Sequence, residues 1–146
     1  MPVPFQPTGY HTAVPYLMVE EMEAVMDFVV AAFDGEIHER LRDAGGMIFH
    51  AEVRVGDSII MLGKASPEFG GMPGMIYLYV PDVQATYDRA LALGAESVYP
   101  PARQFYGDVN GGIRDPFGHY WWISTHVEDV EPDELIRRAS QRPSRT

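Results

Sequence analysis

A chain of 146 residues, 46% of them hydrophobic and none cysteine, can bury a core of its own, and disulfides, thiolate metal sites and a cysteine nucleophile are excluded. The formal charge of −10 disfavours a nucleic-acid partner. The basic cluster Arg137-Arg138 with Arg142 and Arg145 lies in the tail, where it suits the negative end of a short helix. No apolar run is long enough to span a bilayer, and the first residues lack the basic start and apolar block of a signal peptide, so a cytoplasmic protein is expected.

Residues 1–9, with three prolines, read as an irregular arm. His11 to Val19 reads as a strand, with Pro15 marking an edge or bulge. Glu20-Glu21 opens a helix whose Met22, Val25, Met26, Val29, Val30 and Phe33 fall on one face, and Gly35 is placed to end it. Three strands are expected next. Glu36 to Leu41 is weakly marked. In Met47 to Val55, alternation sends Met47, Phe49, Ala51, Val53 and Val55 one way and Ile48, His50, Glu52 and Arg54 the other. Gly56-Asp57 makes a hairpin turn into Ser58 to Leu62, apolar on both faces.

Lys64 to Gly74, rich in glycine and proline, reads as a linker. The pattern then restarts: strand Met75 to Val80, an N-cap at Asp82, a helix with Val83, Tyr87, Ala90 and Leu91 buried, and a stop at Gly94. Ala95 to Tyr99 is a short strand, and Pro100 to Gly112 reads as a loop. Ile113-Arg114 leads into the turn Asp115-Pro116-Phe117-Gly118, and the aromatic, β-branched strand Tyr120 to Thr125 leads out. A short helix starts at Pro132, and the tail from residue 140 is expected to fray.

The two halves are copies. Val19-Glu20-Glu21-Met22-Glu23-Ala24 matches Val80-Pro81-Asp82-Val83-Gln84-Ala85, and Asp88 follows Asp27 at the same offset. The expected fold is α+β, two βαβββ modules over about 11–63 and 75–126 with a C-terminal helix over about 132–139. The helices lie on one face of each curved mixed sheet, and the other faces are free to enclose a cavity.

Two βαβββ copies in so short a chain resemble the vicinal oxygen chelate superfamily, which includes glyoxalase I, bleomycin-resistance proteins and extradiol dioxygenases, and more closely its PhnB-like branch. The residues carrying the likeness are Pro15-Tyr16-Leu17, Phe49-His50-Ala51-Glu52, Gly56-Asp57-Ser58 with Met61-Leu62, Tyr106-Gly107-Asp108, Asp115-Pro116-Phe117-Gly118-His119 with Trp121, and Thr125-His126 with Glu128-Asp129. The resemblance spans roughly residues 11–139 and implies paired modules and a homodimer, without naming a substrate, because this fold hosts many functions. In its metal enzymes the ligands come from the first and last strand of each module. Those positions fall here at Val14, Met61, Met75 and Trp122, none with a suitable nitrogen or oxygen donor. No metal and no cofactor are therefore expected.

What the resemblance leaves is a small-molecule cavity with Tyr16, Met61, Met75, Tyr77, Tyr79 and Trp122 in its wall, suited to a flat, partly aromatic ligand that the protein sequesters. The competing reading is an aromatic core. His50 and Glu52 are the candidate acid–base pair of a lyase, isomerase or dioxygenase, or part of a relocated metal site with a residue such as His11, and Arg54 could meet an anion. The alternative for that stripe is a solvated strand face. Tyr106 and Arg114 are further ligand-binding candidates. Asp108 reads as a base or as a loop organiser, Asp115 as a partner of its own turn, and His119 as structural.

Overall fold

The computed structural model describes residues 2–144; Met1 and, in the tail expected to fray, residues 145 and 146 lie outside them. The elements in chain order are β1 (Tyr16–Val19), α1 (Met22–Phe33), β2 (Glu36–Arg42), β3 (Ile48–Val55), β4 (Ser58–Lys64), β5 (Met75–Tyr79), α2 (Val83–Ala92), β6 (Glu96–Arg103), β7 (Asp108–Arg114), β8 (Tyr120–His126) and α3 (Pro132–Ser140). They form two four-stranded mixed sheets, ordered β1-β4-β3-β2 and β5-β8-β7-β6, an α+β arrangement of two βαβββ copies. In each sheet the first strand pairs parallel to the last and the other pairings are antiparallel. The chain divides into unit 1, Met1–Gly74 with Pro116–His119, and unit 2, Met75–Asp115 with Tyr120–Thr146.

The duplication carries into the ladders. Tyr16 pairs with Met61 and Tyr77 with Trp122; Glu36 pairs with Arg54 and Glu96 with Arg114. In unit 1, Val25, Val29 and Ala32 of α1 are fully buried, as are Ala51 and Val53 of β3, on which α1 packs. In unit 2, α2 is capped as expected: Asp82 accepts from the Ala85 amide at 3.1 Å, and Gly94 takes φ 102° beyond its end. The end of α1 differs from expectation. Asp34, not Gly35, holds the left-handed position, at φ 55°.

Three other boundaries shift for physical reasons. β1 starts at Tyr16, because Pro15 has no amide hydrogen for the ladder; its carbonyl instead accepts from Met61 N at 2.9 Å. The alternation in β3 breaks at Phe49. A register shift pairs Leu41 with His50 and then Arg42 with Ile48, so Ile48 is buried at 4% exposure and Phe49 is exposed. Such a bulge flips every side chain before it to the other face. The stretch read as a loop, Pro100 to Gly112, is mostly strand. Its prolines sit in β6, an edge strand, at a shift between Tyr99 and Ala102, where no ladder donor is needed. No helix among the described residues is long and apolar enough to cross a membrane.

Candidate functional site

The polar chemistry of unit 1 collects on the side of β3 away from α1. Glu52 is 4% exposed there. Tyr10 Oη donates to Glu52 Oε1 at 2.5 Å, and His50 Nε2 lies 2.8 Å from Oε2. The other ring nitrogen of His50 is 3.3 Å from Tyr16 Oη. Burial by itself would push the Glu52 carboxyl up, but hydrogen bonds from Tyr10 and His50 outweigh it and hold the group below the ordinary carboxylate range. The hydrogen bond to Glu52, with burial second, pushes the Tyr10 phenol up to about 12.

Tyr10 reaches Glu52 because the N-terminal arm folds over this face. Gln6 Nε2 donates to the Tyr10 carbonyl at 2.6 Å, and His11 Nε2 lies 2.9 Å from the Asp57 carbonyl oxygen. Between arm and sheet lies a cleft of about 480 Å³ lined by Phe5, Pro7, Tyr10, Val14, Glu52 and Met61, among others. The wall is mainly apolar, with one buried carboxylate in it. Arg54 shares the face of Glu52, and a Cβ on Gly9 would lie 3.4 Å from Arg54 Nη2, so the arm passes over the guanidinium. Gly63 lies beneath Tyr16, where a Cβ would come within 2.7 Å of the ring.

Unit 2 holds a second polar group. Asp108, 2% exposed, accepts from Tyr77 Oη at 2.6 Å and Tyr79 Oη at 3.0 Å, with His126 Nδ1 2.7 Å from its other oxygen. Buried Asn110 donates to Tyr77 Oη at 3.0 Å and Tyr106 Oη at 2.7 Å and accepts from Tyr99 at 2.9 Å. His126 Nε2 meets Asp129 at 2.7 Å. Burial would raise the Asp108 carboxyl, yet Tyr77, His126 and Tyr79 together hold it down. Burial, then the bond to Asp108, pushes both Tyr77 and Tyr79 up. The bonds to Asp108 and Asp129 raise His126.

The candidates from the sequence thus fall into separate groups. His50, Glu52, Tyr16, Arg54 and Met61 assemble in unit 1; Tyr77, Tyr79 and Tyr106 assemble around Asp108 and Asn110 in unit 2. Arg114 is not in that group: it is exposed, opposite Glu96, six residues along β7 from Asp108. Met75 is 60% exposed, and Trp122 stands edge-on to Tyr99 and Tyr120. His119 is structural: it is 3% exposed and accepts from the Gly74 amide. Asp115 accepts from Trp121 Nε1 at 2.9 Å, a partner beyond its own turn. Sequence reasoning missed Tyr10 and Asn110. Asn110 lay in the supposed loop, and Tyr10 meets Glu52 across 42 residues of sequence.

The sequence profile of the Glyoxalase/Bleomycin resistance protein/Dioxygenase superfamily matches residues 10–123. The chain belongs to this superfamily. Uncharacterized proteins of Mycobacterium tuberculosis and Mycobacterium bovis are 35% identical over 132 residues, covering 83% of this chain and 78% and 87% of theirs. Solved structures share the fold. TioX from a Micromonospora species has a TM-score of 0.65 at 24% identity, covering 83% of this chain and 100% of its own. A PhnB protein from Bacillus cereus has a TM-score of 0.60 at 18% identity, covering 79% and 98%. A glyoxalase-related enzyme from Fulvimarina pelagi has 0.63 at 18% identity, covering 80% and 88%.

In this superfamily member the residues at the family's metal positions do not fit a cation. In unit 1, Val14 and Met61 line the cleft with a branched alkyl and a thioether. In unit 2, Met75 is an exposed thioether, and the Trp122 indole N–H can only donate. No catalytic step is derived through a metal at these positions.

Proposed function

We propose that this superfamily member is a cytoplasmic binding protein that sequesters a small, partly aromatic organic molecule in the cleft of unit 1. The observation that carries the reading is the cleft itself: about 480 Å³, walled by Phe5, Pro7, Val14 and Met61, with Tyr10 and Glu52 as its polar end. That volume lies in the range of small-molecule pockets, and an apolar wall with few convergent polar groups gives area for affinity and one fixed point for orientation. Val14 and Met61 supply wall where metal enzymes of the fold supply ligands. The test is a thermal-shift screen of aromatic compounds with EDTA present. A binder should raise Tm with rising concentration, and Met61→Glu should abolish the rise. A panel with no stabilising compound, or one unaffected by Met61→Glu, contradicts the proposal.

One contact favours a second reading, acid–base catalysis of the lyase or isomerase type: His50 Nε2 and Glu52 Oε2 lie 2.8 Å apart beside the cleft. On that reading His50→Ala keeps binding of an identified ligand and loses its turnover. We further propose a homodimer, supported by family membership and by exposed Leu41, Met47 and Phe49 in unit 1. Light scattering at micromolar concentration should give twice the 16.4 kDa chain mass.

A further inference from the structure

We propose that Glu39, His50 and Glu52 form a binding site for a divalent first-row transition-metal cation on the sheet of unit 1, apart from the family's metal positions. One ligand atom from each lies within 4.8 Å of the others. Donors around one such ion at about 2.0–2.2 Å from it are separated by roughly 4 Å or less, so a small inward movement closes the set.

The ladder explains why these three meet. Ile37 pairs with Val53, but a register shift at His38 makes Glu39, not His38, the partner of Glu52. Two carboxylates directly opposite each other repel, and Glu52 is 4% exposed, where water screens little. Among the described residues no lysine or arginine forms an ion pair with either; the partner of Glu52 is His50. Tyr10 and His50 already hold the Glu52 carboxylate, and the bulge adds a second carboxylate beside it, so the three side chains together offer a cation two oxygens and one nitrogen.

Two surrounding groups suit the same purpose. Tyr16 Oη, 3.3 Å from His50 Nδ1, can accept a hydrogen bond from Nδ1–H, which leaves the Nε2 lone pair for the ion, the usual outer support of a ligating histidine. Tyr10 Oη holds Oε1 of Glu52, fixing the carboxylate plane. One imidazole and two carboxylates select a transition ion over calcium or magnesium, which prefer oxygen alone. The expectation of no metal concerned Val14, Met61, Met75 and Trp122; Glu39 is at none of them and enters only through the bulge.

The test is isothermal titration of the purified, EDTA-stripped full chain with Zn2+ and Mn2+, and with Mg2+ for comparison, without any organic ligand. One transition ion per chain is expected, with Mg2+ at least roughly 100-fold weaker. Glu39→Gln and His50→Gln should each weaken Zn2+ by more than the roughly 10–100-fold typical of outer-shell changes, and Tyr16→Phe should fall within that range. His11→Gln, which removes the sequence's alternative ligand, should change nothing. Circular dichroism identifies any variant that fails to fold; Glu39→Gln, near-isosteric on a strand, decides alone if His50→Gln does not. Absence of binding in the wild type, or Zn2+ affinity unchanged in Glu39→Gln, overturns the site. Neither result touches the cleft ligand, which is screened with chelator present.

Discussion

A carboxylate that is 2% exposed stays ionised only where donors surround it, and Asp108 has Tyr77, Tyr79 and His126. Asp108→Asn keeps the shape and removes the charge, and its amide then faces donors with donors. The expected loss is about 2–4 kcal/mol, read from urea unfolding. The same variant should bring the His126 pKa down toward 6.5, read from its ring proton shifts. A His126 that titrates unchanged would show that Asp129 alone sets its pKa. In unit 1, Gly63→Ala would push the Tyr16 ring off its seat beside His50, since the new methyl would meet the ring at 2.7 Å. The expected cost is about 1 kcal/mol, because the flexible end of the ring can move. Asp108 was singled out in the sequence, but its set of partners was not legible there. Tyr77 and Tyr79 lie 31 and 29 residues away.

At the scale of the element, the helices were legible because their signals are local. Asp82→Ala removes the cap bond to Ala85 and should cost about 1 kcal/mol in thermal or urea unfolding. Asp34→Gly acts the other way. At φ 55° a side chain pays steric strain that glycine avoids, partly offset by glycine's freer unfolded chain. Stabilisation by about 0.5 kcal/mol is expected, and destabilisation would mean that the Asp34 side chain holds the turn. The strands were legible where alternation is regular, as in Ala51 to Val55. They were not where a bulge intervenes. Alternation puts Phe49 on the side of Ala51, Val53 and Val55, yet it is exposed while they are buried; the second half of β6 and most of β7 read as loop because prolines and glycines dominate their sequence. Edge position and the close seating of Tyr99 over Gly112, where a Cβ would meet the ring at 2.7 Å, make those residues compatible with a sheet.

For the whole molecule, the charges define a pH window. Asp108 has a lowered pKa, so its contribution is complete above 3.8 and fades as pH falls through the folded value. Glu128 and Glu134, held by Arg138 with Arg103 and Arg137 respectively, are lowered to about 2 and lose their exposed, salt-screened contribution between 4.5 and that value. His126 is raised, so its contribution is complete below 6.5 and lost as pH climbs through the higher folded value. Thermal melts across pH should therefore place maximum Tm between about 4.5 and 6.5 and show a decline on both sides. The acid decline should shrink in high salt in its Glu128 and Glu134 part. A Tm still rising above pH 7 would contradict the role given to His126.

The duplication, the α+β class, the helix capped by Asp82, the hairpin at Gly56-Asp57 and the lack of donors at Val14, Met61, Met75 and Trp122 were present in the order of residues alone. Each depends on neighbours within a few positions or on a fixed repeat, and such signals survive without a fold. The cleft under the arm, the meeting of Tyr10 with Glu52, and the placement of Glu39 against Glu52 were decided by tertiary structure. They depend on contacts across long stretches of chain and on one-residue slips in pairing, and a slip of one residue leaves composition and spacing unchanged while exchanging which side chain faces which.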